Sequence, residues 1–189
     1  MKIGLYFGSF NPVHIGHLAI ANYMVEYSDM DKIWFVVSPQ NPFKEKKHLL
    51  KEHHRLRLIE LATEYDLRFK ASNIEFKMPH PSYTVDTLAY LKEQYPDYEF
   101  AVIMGEDNLK TLHKWKNYEE IVNNHTIYVY PRDNKTIPKR LYDNLVIVDA
   151  PLIEISSSFI RKAIKEKKDV RYFMPQNVAE YVKEMHFYE

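Results

Sequence analysis

The sequence predicts an α/β fold built on an open, mostly parallel sheet with helices on both faces. Three observations carry that expectation. Short apolar runs of strand length recur along the chain, segments with apolar residues at helical spacing separate them, and each run stops within a residue or two at Gly, Ser or Pro. Buried parallel strands end this way where they open into loops, and alternation of the two kinds of segment is the signature of a sheet wound with crossover helices.

Taken in order, Ile3 to Phe7 is the first strand, and Ile15 to Tyr27 is a helix carrying Leu18, Ala21 and Val25 on one face. Ile33 to Val37 is the second strand, followed by a helix over Glu52 to Tyr65 with Leu56, Ile59 and Leu61. Thr84 is placed to cap a helix that carries Val85, Leu88 and Leu91, ends near Pro96 and leads into a strand at Phe100 to Met104. Ile127 to Tyr130 and Leu145 to Val148 read as two later strands, closed by Pro131 and Pro151, with the irregular Asp133 to Pro138 between them. Ser158 to Lys167 and Asn177 to His186 close the chain as helices. With no repeat and no linker, one domain over residues 1–189 is expected.

Composition narrows the function classes. The 26 Lys and Arg balance 26 Asp and Glu, so the net positive field expected of a nucleic-acid binder is missing. Zero Cys excludes a disulfide framework, a thiolate metal site and a cysteine nucleophile, and makes a cytoplasmic location the expectation. No apolar run approaches a membrane span or a signal-peptide core.

Average usage would give a chain of this length roughly 13 Gly. It has four: Gly4, Gly8, Gly16 and Gly105. Gly8 and Gly105 both follow expected strands, where an open α/β sheet forms its ligand crevice and a residue without Cβ lets a phosphate approach; tight turns are the competing explanation. Gly4 lies mid-strand, where close packing accounts for it. Walker and G-x-G-x-x-G loops are absent. In their place stands Gly8-Ser9-Phe10-Asn11-Pro12-Val13-His14-Ile15-Gly16-His17. His14 and His17, three apart in a first helical turn, would present imidazoles on one face beside the unpaired N–H groups of the helix N-terminus, a ready anion site. Zinc ligation would need a third ligand that the neighbourhood does not supply, and ordinary hydrogen bonding at a helix start also competes.

Near the C-terminus, Ile155-Ser156-Ser157-Ser158-Phe159-Ile160-Arg161 sets three hydroxyls at a helix start and an Arg just beyond, which by itself could be an N-cap with spare serines. The two segments together resemble the paired signatures of the nucleotidyltransferase superfamily, Rossmann-like enzymes that transfer AMP from ATP to a phosphate or similar acceptor. Within it the chain is most similar, over essentially its whole length, to the bacterial nicotinate-nucleotide adenylyltransferases. Pro81-Ser82-Tyr83-Thr84, Gly105-Glu106-Asp107 and Trp115 carry that likeness.

The resemblance implies roles residue by residue. The first motif, with Gly8, Ser9, Phe10, His14 and His17, and the second, with Ser157, Ser158 and Arg161, would hold the ATP phosphates, His14, His17 and Arg161 acting catalytically. Gly105 and Asp107 would serve the adenosine side. Tyr83, Thr84 and Trp115 would form the nicotinate pocket, and Lys44, after the proline of its loop, would lie near the phosphates. Arg132 is a weaker candidate by its place past a strand end. Asn11 stands where Asp is frequent, and Ser158 where Thr is common. The implied partners are ATP, brought with Mg2+, and nicotinate mononucleotide, without nucleic acid or membrane; a homo-oligomer is compatible with the sequence. No protein-held metal is expected. Lys46, Lys47 and Lys51 read as a solvated charged face, His53 and His54 as exposed, Tyr128 and Tyr130 as core, and neither His14 nor His17 as core-filling.

Other readings differ at identifiable residues. Phosphopantetheine adenylyltransferase has Thr where His14 stands and lacks the Tyr83-Thr84 and Trp115 pattern. A nicotinamide-mononucleotide adenylyltransferase differs in its acceptor. His14-Ile15-Gly16-His17 also resembles class I aminoacyl-tRNA synthetases, for whose tRNA-binding domain the chain has no space. A nucleotide-sensing domain would bind nucleotide and release no pyrophosphate.

Overall fold

The computed structural model describes residues 1–39, 49–132 and 142–189. Its strands are β1 (Lys2–Gly8), β2 (Lys32–Val37), β3 (Phe69–Ser72), β4 (Glu99–Gly105), β5 (Ile127–Tyr130) and β6 (Leu145–Ile147). Its helices are α1 (Ile15–Tyr27), α2 (Glu52–Thr63), α3 (Thr84–Gln94), α4 (Glu106–Leu109), α5 (Tyr118–Asn124), α6 (Ser157–Lys165) and α7 (Gln176–Glu184), with short 3-10 turns at Ile74–Lys77, Leu112–Lys114 and Arg171–Phe173. All five strand pairings are parallel, in the order β3-β2-β1-β4-β5-β6. This is the doubly wound, Rossmann-like arrangement, whose ligand crevice opens beyond the C-terminal ends of β1 and β4, where the winding reverses.

Side chains alternate across the central strands, as the two-residue period of a strand requires. Tyr6, Phe35, Ile103 and Tyr128 face a core shared with α1, α2, α6 and α7. Leu5, Trp34, Val102 and Val129 face a second core under α3 and α5. Gly4 is a packing position: a Cβ there would lie 2.4 Å from Met30 Sδ and 2.7 Å from Ile33 Cδ1.

The main strands and long helices fall where the apolar pattern puts them, and some details differ. Phe69–Ser72 adds a strand at the sheet edge, and Glu106–Leu109 and Tyr118–Asn124 add helices, the second with Ile121 and Val122 facing the core. Thr84 is not the cap of α3. Tyr83 takes the extended cap conformation without a side-chain cap bond, and Thr84 is the first helical residue.

Candidate functional site

The first motif runs from the end of β1 into α1. Phe10 has a φ of 45°, in the left-handed region that costs a non-glycine residue about 1 kcal/mol. Its ring is held at 5.6 Å from Tyr6, 5.5 Å from Phe35 and 5.1 Å from His17. Gly8 permits this, because a Cβ there would sit 2.8 Å from the Phe10 ring. The space left by the missing side chain is filled by the protein's own ring, which is the packing reason for glycine at this position.

His14 is the N-cap of α1, and the two imidazoles stack with centroids 3.7 Å apart at 31°. His17 Nδ1 accepts the His14 main-chain N–H at 3.2 Å. In the neutral ring the proton then resides on Nε2, which makes His17 a donor at that atom. His14 is buried, with 4% of its surface exposed, and its Nδ1 finds no partner among the described residues, which corrects the expectation that this ring is not core-filling. An orphaned buried nitrogen beside a cleft marks a position that a ligand atom can satisfy. Burial, aided by the Arg132 charge, pushes the His14 pKa from 6.5 down to about 4, so the ring is neutral at pH 7.

That shift has a sign for stability. On acidification the unfolded chain takes up the His14 proton first, so this residue's contribution is intact above pH 6.5 and is lost as pH falls to about 4. In urea titrations across that window, wild type is expected to lose stability relative to His14→Asn, which keeps a good cap. A constant difference between them would contradict the buried neutral ring.

The second motif closes on the first. Ser156 caps α6 by accepting the Phe159 N–H at 3.2 Å. Ser157 donates to the Pro12 carbonyl at 2.9 Å, and Arg161 donates to the Asn11 carbonyl at 2.7 Å and to Ser158 Oγ at 3.2 Å. Residues 145 and 150 positions apart are thereby joined. The guanidinium spends two of its five N–H donors on these bonds and keeps others for a ligand. Asn11 Oδ1 accepts from the Leu50 N–H at 3.2 Å and the Tyr188 hydroxyl at 2.8 Å, so the chain's C-terminal end also rests on this loop.

At the ends of β1 and β5, Tyr6 and Tyr130 share a buried hydroxyl contact of 3.0 Å, Arg132 donates to Tyr130 Oη at 3.1 Å, and Arg132 Nε lies 3.5 Å from Asp107. A Cβ on Gly105 would fall 2.5 Å from Asp107 Oδ1 and 2.9 Å from Arg132 Nε, so this glycine admits the pair. Tyr6, His14, Gly16, His17, Tyr130, Arg132, Ile153 and Ile155 line one cleft beside Gly105, Asp107 and the first motif. Sequence reasoning placed Tyr130 in the core; its ring is buried there, and its hydroxyl belongs to the site.

Arg55 went unremarked in the sequence. It is fully buried and donates to four carbonyls: Leu50 at 2.9 Å, Ser9 at 2.8 Å, Ser38 at 2.8 Å and Pro39 at 3.0 Å. Burial lowers its pKa to about 10. No ion pair between Arg55 and a carboxylate exists among the described residues. Lys44 lies outside them, while its neighbours at Ser38, Pro39 and Leu50 are held by this guanidinium.

Tyr83 and Thr84 stand at the start of α3, and half-buried Trp115 follows the Leu112–Lys114 turn. Lys116 joins the two segments, 2.8 Å from Asp86 Oδ2 and 4.9 Å from the Tyr83 ring centroid. The segment from Pro81 to Tyr90 has no basic residue of its own, so this cation arrives from elsewhere in the chain. Among the described residues no group of three or more His, Asp or Glu could hold a metal, and no helix is long and apolar enough to cross a membrane.

A family model described as cytidylyltransferase-like matches residues 5–163. The chain is 54% identical to the probable nicotinate-nucleotide adenylyltransferase of Flavobacterium johnsoniae, covering 100% of both. It is 49% identical to that of Bacteroides thetaiotaomicron, over 97% of this chain and 92% of the other. The solved structure of Plasmodium falciparum nicotinic acid mononucleotide adenylyltransferase complexed with NaAD matches at a TM-score of 0.83, covering 99% of this chain and 97% of that one. Its sequence is 20% identical, so the likeness is one of fold.

Proposed function

The chain belongs to the nicotinate-nucleotide adenylyltransferase family, within the cytidylyltransferase-like group, and on that premise we propose that it transfers AMP from ATP to nicotinate mononucleotide, giving nicotinate adenine dinucleotide and pyrophosphate. The observation that carries the reading is the junction of the two motifs at one crevice, where paired imidazoles, Arg161 and a helix N-terminus converge.

The acceptor's phosphate is its own nucleophile. With a second pKa of about 6 it is largely dianionic at neutral pH, so no general base is needed. One of its oxygens attacks the α-phosphorus of ATP in line, the bond from that phosphorus to the bridging oxygen breaks, and pyrophosphate departs. The protein's work is to hold the partners in line and neutralise developing charge. His17 donates from Nε2–H and His14 as a neutral ring, while Arg161 engages phosphate oxygens with its remaining donors. Asp107 and Arg132, set by Gly105 and Tyr130, serve the adenosine and phosphate sides. Magnesium, brought with ATP, would neutralise part of the triphosphate charge. Such chemistry, in a chain without Cys, fits the cytoplasm.

The acceptor pocket is assigned to Tyr83, Thr84 and Trp115. The main-chain N–H groups of Thr84 and Val85 precede the first intrahelical bonds, which run from Asp86 and Thr87 to the Tyr83 carbonyl. They suit a carboxylate and meet a carboxamide NH2 poorly. A donor left facing a donor costs on the order of 1–3 kcal/mol, so the acid should be preferred by about one to two decades in kcat/KM. Pyrophosphate release from ATP and magnesium, run in parallel with nicotinate mononucleotide, nicotinamide mononucleotide and phosphopantetheine, tests this. Trp115→Ala should raise the KM of the acceptor and spare that of ATP. Equal rates with the two mononucleotides would remove the pocket assignment, and no release with any acceptor would remove the enzymatic reading.

A further inference from the structure

Glu75 is a buried carboxylate that none of the chemistry above uses. It lies in the Ile74–Lys77 turn after β3 with 2% of its surface exposed. Ser82 donates to its Oε2 at 2.8 Å and Thr87 to its Oε1 at 2.9 Å. The Ser38, Ser82 and Thr87 hydroxyls oppose the upward push of burial on its pKa. The Ser82 and Thr87 bonds fall on either side of Tyr83 and Thr84: Ser82 precedes the α3 cap, and Thr87 lies one turn inside. Both hydroxyls thereby spend their protons on Glu75, which leaves the main-chain N–H groups and the Thr84 hydroxyl as the donors at this helix start.

Ser38 extends the chain of contacts inward. Its main-chain N–H donates to the Gly8 carbonyl at 3.0 Å and its carbonyl accepts from Arg55 at 2.8 Å. Arg55 in turn holds Ser9. Polar contacts thus tie Ser38 to the first phosphate motif, while Glu75, whose pKa the Ser38 hydroxyl lowers, is tied to the start of α3.

We propose that Glu75 is a positioning residue for the acceptor: by gripping Ser82 and Thr87 it fixes the direction of the Thr84 and Val85 N–H groups, and so sets the preference for a carboxylate over a carboxamide. This rests on the acceptor-pocket reading given above. Two hydroxyl donors hold the carboxylate, one on each oxygen, and a carboxamide cannot accept both, because its NH2 is itself a donor. Glu75→Gln therefore loosens the grip without emptying the space.

The test is steady-state kinetics with both mononucleotides on wild type, Glu75→Gln, Ser82→Ala, Thr87→Val and Thr87→Ser, together with titration of Trp115 fluorescence by nicotinate mononucleotide. In the first three variants the acceptor KM should rise about tenfold and the acid-to-amide ratio of kcat/KM should fall, with ATP KM and kcat within about twofold of wild type. Thr87→Ser, which keeps the hydroxyl, should restore wild-type behaviour. The single-hydroxyl variants carry the test if Glu75→Gln does not fold. An unchanged acceptor KM and ratio in folded variants overturns the assignment, as does a parallel rise in both KM values with a lowered melting temperature, which would mark Glu75 as a packing residue. A wild-type protein that releases no pyrophosphate with nicotinate mononucleotide removes the acceptor reading itself; wild-type turnover with insensitive variants removes only the role of Glu75.

Discussion

His17→Ala is expected to lower kcat by about 100- to 1,000-fold while the KM of either substrate moves by less than about threefold. A donor held where transition-state charge develops is worth about 3 kcal/mol, and a bond made chiefly in the transition state appears in kcat. The geometry supplies the reason for a fixed donor: the His14 N–H occupies His17 Nδ1, which leaves the proton on Nε2. His17→Asn should recover little, since its shorter side chain cannot place an N–H at the same point. Rapid-quench measurement of AMP transfer in a single turnover separates chemistry from product release. A variant whose single-turnover rate matches wild type, with both KM values raised, would show that His17 only binds. His14→Ala should cause a similar loss of rate and, because that ring is buried, also a loss of stability, measurable in the same preparations by thermal melting.

Arg55→Met should be the most destabilising single change at the site, by about 3–5 kcal/mol. Methionine fills much of the volume but leaves the Ser9, Ser38, Pro39 and Leu50 carbonyls without the donor they share. Each unpaired buried acceptor carries a penalty of about 1–3 kcal/mol, moderated where the backbone can relax toward water. Arg55→Lys tests geometry against charge. A compact ammonium with three donors cannot span four carbonyls that a planar guanidinium reaches from three nitrogens, so Lys should recover only part of the loss. Urea denaturation at pH 7 provides the measurement. A Lys variant within about 0.5 kcal/mol of wild type would mean that the charge alone matters and that the fork does not organise the Ser9 and Ser38 segments.

The sequence by itself determined the elements whose residues interact with near neighbours. β1, β2, β4 and β5 were legible because strands buried on both sides are nearly continuous apolar runs, and α1 and α2 because apolar residues three and four apart mark one helical face. The rings of His14 and His17 do meet, though as the N-cap and the third residue of α1 and not as two positions within its first turn. β3 escaped because Phe69–Ser72 is an edge strand with a mixed pattern, and α5 because Ile121 and Val122 are the only buried residues of its seven. Tertiary structure alone decided the rest of the site. Ser157 meets Pro12 and Arg161 meets Asn11 across 145 and 150 residues, and Tyr6 meets Tyr130 across 124, at distances along the chain where no periodicity carries information. Arg55 and Glu75 look like ordinary helix and turn charges in the sequence. Only packing shows that each is sealed from water, and a sealed charge must gather every hydrogen bond within reach, which is why these two residues tie the loops of the site together.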